Sequence, residues 1–252
     1  MIEDRKQEIL DLLNKNGSVT VLELCQLFDV SSVTVRSYLA DMESKGLLSR
    51  VHGGAVNSYK PYYSMNLSQR LETNQSEKVK IAEKVATLIN PNDTIMMNSG
   101  TTTLLTFRKF PSNYNLNIVT NSISIALEAS DNPNYNVILV GGSINTKYQF
   151  SYGADAIKQL RNYHADKLIL SMDGVDPEHG FSTYYDKEAE IDRVMIEQSD
   201  CYIIVADSSK FYRTAFAKIS EIDAADYIIT NATPDENFLH KFKDSEVDII
   251  LA

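Results

Sequence analysis

From residue 94 onward, short apolar runs recur at the spacing of strands: Thr94–Met97, Leu116–Thr120, Val137–Val140, Leu168–Ser171, Tyr202–Ala206 and Tyr227–Thr230. Helical patterns separate them near Thr103–Phe110, Ser122–Ala129 and Lys187–Gln198, and an amphipathic helix marked by Ile81, Val85, Leu88 and Ile89 precedes the first. This alternation specifies a mostly parallel sheet covered by helices, an α/β, Rossmann-like domain over residues 76–252. With 43% apolar residues in 252, the chain has enough material for a real core.

The first 57 residues follow a different pattern. Ile9, Leu12 and Leu13 recur at helical spacing between Glu3 and Lys15, and Asn16-Gly17 is a stop signal. Thr20 and Glu23 have capping-box spacing for a second helix of about two turns, with Leu22, Leu24 and Leu27 as its apolar face and Asp29 at its end. Ser31 or Ser32 caps a third helix that places Val35, Leu39 and Met42 on one face and Val33, Ser37 and Ala40 on the other. The stretch Leu47–Ala55 then reads as a short strand running into a Gly53-Gly54 turn. Three short helices and a strand–turn wing make a winged helix-turn-helix. In such a module Ser32, Val33, Thr34, Arg36 and Ser37 reach base edges or phosphates, and Arg50, His52 and Gly53 of the wing meet the DNA backbone or minor groove. Residues 58–75, with Pro61 and several tyrosines, read as a linker that becomes helical at its end.

Charge limits how nucleic acid can be bound. The chain carries a formal charge of -10, but unevenly: residues 1–60 hold 7 Lys/Arg against 8 Asp/Glu, and the remainder 17 against 26. A broad polyanion-binding surface is excluded, and a local contact belongs in the least acidic segment. Cys25 and Cys201 are too few for a disulfide framework or a metal site. No run approaches the ~18 apolar residues of a membrane span, and the charged beginning of the chain is unlike a signal core. The expected location is the cytoplasm, with no membrane partner, metal or cofactor.

Polar residues gather where the apolar runs end. Asn98–Thr103 (NSGTTT), Thr120–Ser122 (TNS), Gly141–Ser143 (GGS), Met172–Asp176 (MDGVD) and Asp207–Lys210 (DSSK) each follow a strand-like segment, the edge at which open α/β sheets bind ligands. Ser99, Gly100, Thr101 and Thr102 offer hydroxyls and backbone N–H groups to a phosphate. Asn98, Thr120, Asn121, Gly141, Gly142 and Asp173 complete the candidate effector site, with Asp173 and Asp176 able to accept sugar hydroxyls and Lys210 able to pair with a phosphate or carboxylate. His179 reads as a loop residue.

Thr34-Val35-Arg36 and Arg50-Val51-His52-Gly53-Gly54-Ala55 resemble the recognition helix and wing of the DeoR-type bacterial transcription repressors. The segments SGTT, VTNS, GG, DGVDPEHGFST, EA and ADSSKF resemble, in order, that family's C-terminal sensor domain, so the likeness covers nearly the whole chain. The resemblance implies a fold related to ribose-5-phosphate isomerase, a phosphorylated sugar or related metabolite as effector and operator DNA as partner. With Arg36 and Arg50 as its main cations a single module is too weakly charged to hold an operator alone, so a homo-oligomer, dimer or tetramer, is expected. The sequence departs from the family pattern at Ser37 and Tyr38, where a basic residue and Asp are usual, and at Asn98, where Asp is usual.

Two other readings stand beside it. A sugar-phosphate isomerase-like enzyme carrying a DNA-binding module would need a carboxylate base, for which Glu188 or Glu190 are the candidates. Against it, the isomerase pattern has a lysine and a run of glycines soon after its Asp-Gly-Ala-Asp segment, where this chain has PEHGFSTYYDKE with one glycine. An adaptor whose sheet domain only oligomerises would leave the phosphate-like loop without a role.

Overall fold

The structure, a computed structural model, describes residues 2–16, 18–44, 47–51, 53–57, 65–234, 236–241 and 246–252. The chain divides into two compact units, residues 1–66 and 67–252.

The first unit opens with α1 (Ile2–Asn16), which buries Ile9 and Leu13. A short strand missing from the sequence reading, β1 (Ser18–Thr20), leads into α2 (Val21–Phe28). The expected capping box is present: Glu23 N–H donates to Thr20 Oγ1 at 3.1 Å and Thr20 N–H to Glu23 Oε2 at 2.7 Å. Asp29 ends the helix in the left-handed region at φ 51°. The buried face of α2 is Leu24 and Phe28, four residues apart, whereas Leu22 and Leu27 are 69% and 51% exposed. Leu24 of the expected leucine face is buried, while Phe28 at the helix end fills the core in place of Leu22 and Leu27. Ser31 is the cap of α3 (Ser32–Ser44), accepting from Thr34 N–H at 3.3 Å, and Val35, Leu39 and Met42 are buried. The wing is β2 (Leu48–Val51) and β3 (Gly54–Asn57), and β1 adds to β3, giving the antiparallel order β1-β3-β2. The two glycines have separate tasks: Gly53 takes φ +83° in the turn, and a Cβ on Gly54 would stand 2.1 Å from Val19 O.

In the second unit α4 (Leu67–Glu72) and α5 (Gln75–Ala86) precede the sheet. The end of the expected linker therefore belongs to this unit, since Leu71 packs into its core. The strands are β4 (Thr94–Met97), β5 (Leu116–Thr120), β6 (Tyr135–Leu139), β9 (Lys167–Leu170), β12 (Tyr202–Val205), β14 (Tyr227–Thr230) and β15 (Asp248–Leu251). They form one seven-stranded sheet in the order β15-β14-β12-β9-β4-β5-β6, every neighbouring pair parallel. A hairpin, β7 (Ser143–Asn145) and β8 (Phe150–Tyr152), and a small antiparallel sheet of β10 (Gly174–Asp176), β11 (Gly180–Thr183) and β13 (Ala217–Ser220) are added to it.

Both faces of the parallel sheet are covered, which is why its strands read as unbroken apolar runs. Met96, Val119, Leu168, Leu170, Ile204 and Ile228 face one core, while Ile95, Met97, Ile118, Ile169, Ile203 and Ile229 face the other. Each fully buried side chain of this size contributes about 1.5–3 kcal/mol. Helices α6 (Thr101–Phe107), α7 (Ile123–Ala129), α8 (Ala154–Leu160) and α9 (Asp186–Glu197) supply the layers. From β4 the chain proceeds to β5 and β6 on one side, then returns to β9 on the other side of β4. The strand order thus reverses between β4 and β9, and the crevice beyond their carboxyl ends is the place where this architecture holds ligands.

Candidate nucleic-acid interface and buried ionic site

In the first unit α3 presents Ser32, Val33, Arg36 and Ser37 to solvent, with Val33 75% exposed. Thr34 is half-buried, its hydroxyl 3.0 Å from that of the cap Ser31. Arg36 and Arg50 line a groove of about 410 Å³ between α3 and the wing, together with Val21, Leu39, Val51, Gly53 and Gly54. His52 lies outside the described residues. Tyr38, one of the departures from the family pattern, is half-buried and accepts a hydrogen bond from Arg5 at 3.4 Å, so it braces α3 against α1. Glu43, which the sequence reading passed over, accepts from both the backbone N–H and Nε of Arg50, at 2.9 and 2.8 Å.

In the second unit the loops after β4 and β9 are joined by Asn98, which has no exposed surface. Its Nδ2 donates to Ser171 O at 2.8 Å and to Asp192 Oδ1 at 3.4 Å, and its Oδ1 accepts from Ser171 N–H at 3.2 Å. An amide does what a carboxylate would not here: it donates and accepts at once across the switch point. Next to it, Glu188 of α9 accepts from Ser99 Oγ at 3.2 Å and from Thr183 Oγ1 at 2.6 Å. Asp173 accepts from Tyr184 N–H at 3.0 Å. Its carboxylate also faces Arg70 of α4 at 3.7 Å and Lys210 at 3.9 Å, while Arg213 donates to its carbonyl at 3.4 Å. Lys78 of α5 donates to Arg70 O at 2.7 Å, and Asp207 is tied to Asn74 Nδ2 and Ser209 N–H, each at 3.1 Å. Arg70 lies over the Tyr148 ring at 4.3 Å.

The electrostatics of this cluster follow from burial. Burial first, and then Arg213, pushes the Lys210 ammonium down to about 8, although Asp173 and Asp207 oppose them. Burial also pushes Asp207 upward, but Lys210, Ser209, Lys78 and Arg213 outweigh it and hold its carboxyl below the ordinary value. Glu188 is raised by burial and by Asp173, and Asp192, four residues further along α9, is raised well above its usual range by burial and by Glu188. Both shifts favour the neutral acid, and these carboxyls share the crevice with Asp173, Asp207, Arg70, Lys78, Lys210 and Arg213. Four basic side chains, all buried but the half-buried Arg70, thus converge on one crevice with these carboxyls.

Other residues of the sequence-based site have different surroundings. Thr101 and Thr102 are buried in the first turn of α6, the helix against which α4 packs. Thr120 donates its hydroxyl to Met97 O at 2.7 Å and accepts from Ser122 N–H at 3.0 Å, which fixes the loop. Asn121 donates to Ser151 O at 3.2 Å, and its Oδ1 is buried with no hydrogen-bond partner among the described residues. Gly141 and Gly142 are exposed beyond the edge strand β6, where Gly141 N–H donates to Gln159, and no hydrogen bond joins them to the charged cluster among the described residues. Asp176 binds the backbone N–H groups of Glu178 and His179 and the His179 ring, so its carboxylate closes a turn. Glu190 pairs with Lys187 at 2.8 Å on the half-exposed side of α9. Sequence reasoning missed Arg70, Lys78, Arg213 and Tyr148; only Arg213, three residues after Lys210, stands near a motif.

Residues 5–59 match the DeoR-like helix-turn-helix domain, and residues 73–232 match the DeoR C terminal sensor domain. The HTH-type transcriptional repressor GlcR of Bacillus subtilis is 30% identical over 249 residues, 99% of this chain and 96% of its own. The HTH-type transcriptional regulator GolR of Listeria innocua is likewise 30% identical, over 99% of this chain and 98% of its own. Among solved structures, ribose 5-phosphate isomerase A of Methanocaldococcus jannaschii superposes with a TM-score of 0.41 at 15% identity, over 55% of each chain.

Proposed function

Because the chain belongs to the DeoR family of transcriptional regulators, we propose that it is a DNA-binding repressor of a carbohydrate-metabolism operon, acting in the cytoplasm and released by a phosphorylated sugar or related metabolite. The observation that carries the effector half of this reading is the gathering of four basic side chains around Asp173 at the crevice between the ends of β4 and β9. Arg70, Lys78, Lys210 and Arg213 supply the donors and the positive charge that a phosphomonoester, dianionic at neutral pH, would meet. In this reading the phosphate sits between those cations and the Ser99–Thr102 loop. Asp173 and the orphan Oδ1 of Asn121 accept sugar hydroxyls. Asn98, Thr120 and Gly100 hold the loops in place.

The DNA half rests on the groove that Arg36 and Arg50 share. A single module with two such cations is weakly charged for a polyanion, so the reading includes a homo-oligomer, at least a dimer, on repeated half-sites. Both relatives are named as regulators and neither as an enzyme, which weighs against the isomerase alternative.

Release requires the effector to bind the DNA-free state more tightly, and a coupling of about 1–3 kcal/mol changes DNA affinity roughly 5–150-fold. The test is a titration of the chain on a duplex recovered from a random pool by selection, repeated against a panel of sugar phosphates. One member should weaken binding within that range, and Thr101→Ala and Lys210→Ala should abolish its effect. An effector that acts equally on wild type and both variants would remove the phosphate from this crevice.

A further inference from the structure

Glu43 is an acidic side chain placed beside the groove through which a DNA duplex would be read. Its position runs against simple electrostatics, since a carboxylate near a polyanion repels it. The pair it makes with Arg50 is 40–46% exposed on both sides, a class of ion pair that adds little to stability. Stability is therefore a poor reason for its presence.

The geometry supplies another. Glu43 stands in the last turn of α3, and Arg50 in β2, seven residues later across the bend into the wing. One carboxylate oxygen takes the backbone N–H of Arg50 and the other takes Nε, so a single side chain fixes both the strand and the root of the guanidinium. The carboxyl is held below its ordinary value, first by the backbone hydrogen bond and then by the side-chain one. The two terminal nitrogens of Arg50 make no hydrogen bond among the described residues, and the side chain lines the groove beside Arg36. A guanidinium gripped at Nε presents its remaining fork in one orientation, the requirement for a bidentate contact to a guanine edge or a phosphate.

We infer that Glu43 is a positioning residue for DNA recognition, holding Arg50 as a preset fork in the wing groove. The inference rests on the DNA-binding reading above and adds a residue that never touches the duplex. Orienting the arginine outweighs the repulsion between Glu43 and DNA only where the fork finds its matching acceptor, so Glu43 acts on specificity.

Glu43→Gln separates this from a bystander charge. The full chain is titrated on the selected duplex and on a scrambled duplex of the same composition. Glu43→Gln should lose about 5- to 10-fold on the selected duplex while binding the scrambled one as well as wild type or about twofold better. In an Arg50→Ala background the same substitution should leave the ratio of the two affinities unchanged. Equal gains on both duplexes would reduce Glu43 to a repulsive charge and overturn the inference; so would equal losses, or a fall in the ratio that persists without Arg50. If Glu43→Gln lowers the melting temperature, Arg50→Lys tests the contact from its other side: lysine has neither Nε nor a fork, and an unchanged ratio there also defeats the proposal. Failure of the wild-type chain to enrich any duplex would instead sink the DNA-binding reading, and the role of Glu43 with it.

Discussion

The guanidinium of Arg70 stands 3.7 Å from the carboxylate of Asp173 and 4.3 Å over the ring of Tyr148. Arg70 is on α4, a six-residue helix with no fully buried side chain, and that helix is the first described element after residues 58–64 that follow the wing. A ligand phosphate that draws Arg70 away from Asp173 thus acts on the segment leading back to the DNA-binding unit. Arg70→Ala should leave DNA affinity without effector within about twofold of wild type and cut the effector response from the 5–150-fold range to below about twofold. DNA-binding titrations with and without the active sugar phosphate read this directly. A full response in Arg70→Ala would show that α4 takes no part in the signal.

Lys210 gives the site a pH dependence. Its ammonium is pushed down to about 8, so it is charged at pH 7 and neutral at pH 9. A sugar phosphate is already dianionic across this range, its second ionisation lying near 6, so the change belongs to the protein. The protonated lysine is the form that attracts the anion. Affinity should hold below about pH 8 and fall above it, by up to about tenfold per pH unit, with proton uptake on binding. Calorimetry at pH 7, 8 and 9 in buffers of different ionisation enthalpy measures both. Lys210→Gln should bind weakly with a flat profile; a flat wild-type profile would place the phosphate elsewhere.

The parallel sheet was legible because burial on both faces writes itself as runs such as Leu168-Ile169-Leu170, and the Thr20–Glu23 capping box because it is local chemistry at fixed spacing. Strands of three or four residues, such as β1 and β7, carry too few positions for a period to show. The loops after β4, β5, β9 and β12 were found by their place at strand ends. What each residue does within them was not: Asn98 and Thr120 turn their polar atoms to neighbouring strands, and only the fold reveals which strand ends at the switch point. Arg70 and Lys78 were invisible for a related reason. They lie on helices 95 or more residues before Asp173 in the chain, and a charge on a helix normally signals a solvated face.

Asp192 predicts a stability effect apart from ligand. Its folded-state pKa is raised well above the unfolded value, first by burial and then by Glu188. A group shifted in this direction contributes its full stability below the unfolded value, near 4, and loses it as pH rises toward the folded value. Asp192→Asn removes the titration while keeping the shape and an oxygen to accept from Asn98. Urea unfolding at pH 5, 6, 7 and 8 should show the variant gaining on wild type with rising pH, by up to ~1.4 kcal/mol per unit. Parallel curves would mean that Asp192 is ionised in the folded chain.

Gly100 tests the crevice by sterics alone. Its φ of -71° suits any residue, so no backbone strain enters. A Cβ there would stand 1.4 Å from Ser171 Oγ and 2.7 Å from Ser171 Cβ, at the point where the loop after β4 meets the end of β9. Gly100→Ala must push those two loops apart and disturb the Asn98 bridge to Ser171, at a cost of about 1–3 kcal/mol. Removing the hydroxyl with Ser171→Ala leaves the closer-than-contact Cβ in place, so it should restore little. Ser171→Gly clears both atoms and should recover most of the lost melting temperature, and effector binding with it. Wild-type stability and effector response in Gly100→Ala alone would show that the β4–β9 crevice yields without consequence, and that its tight closure is not what shapes the site.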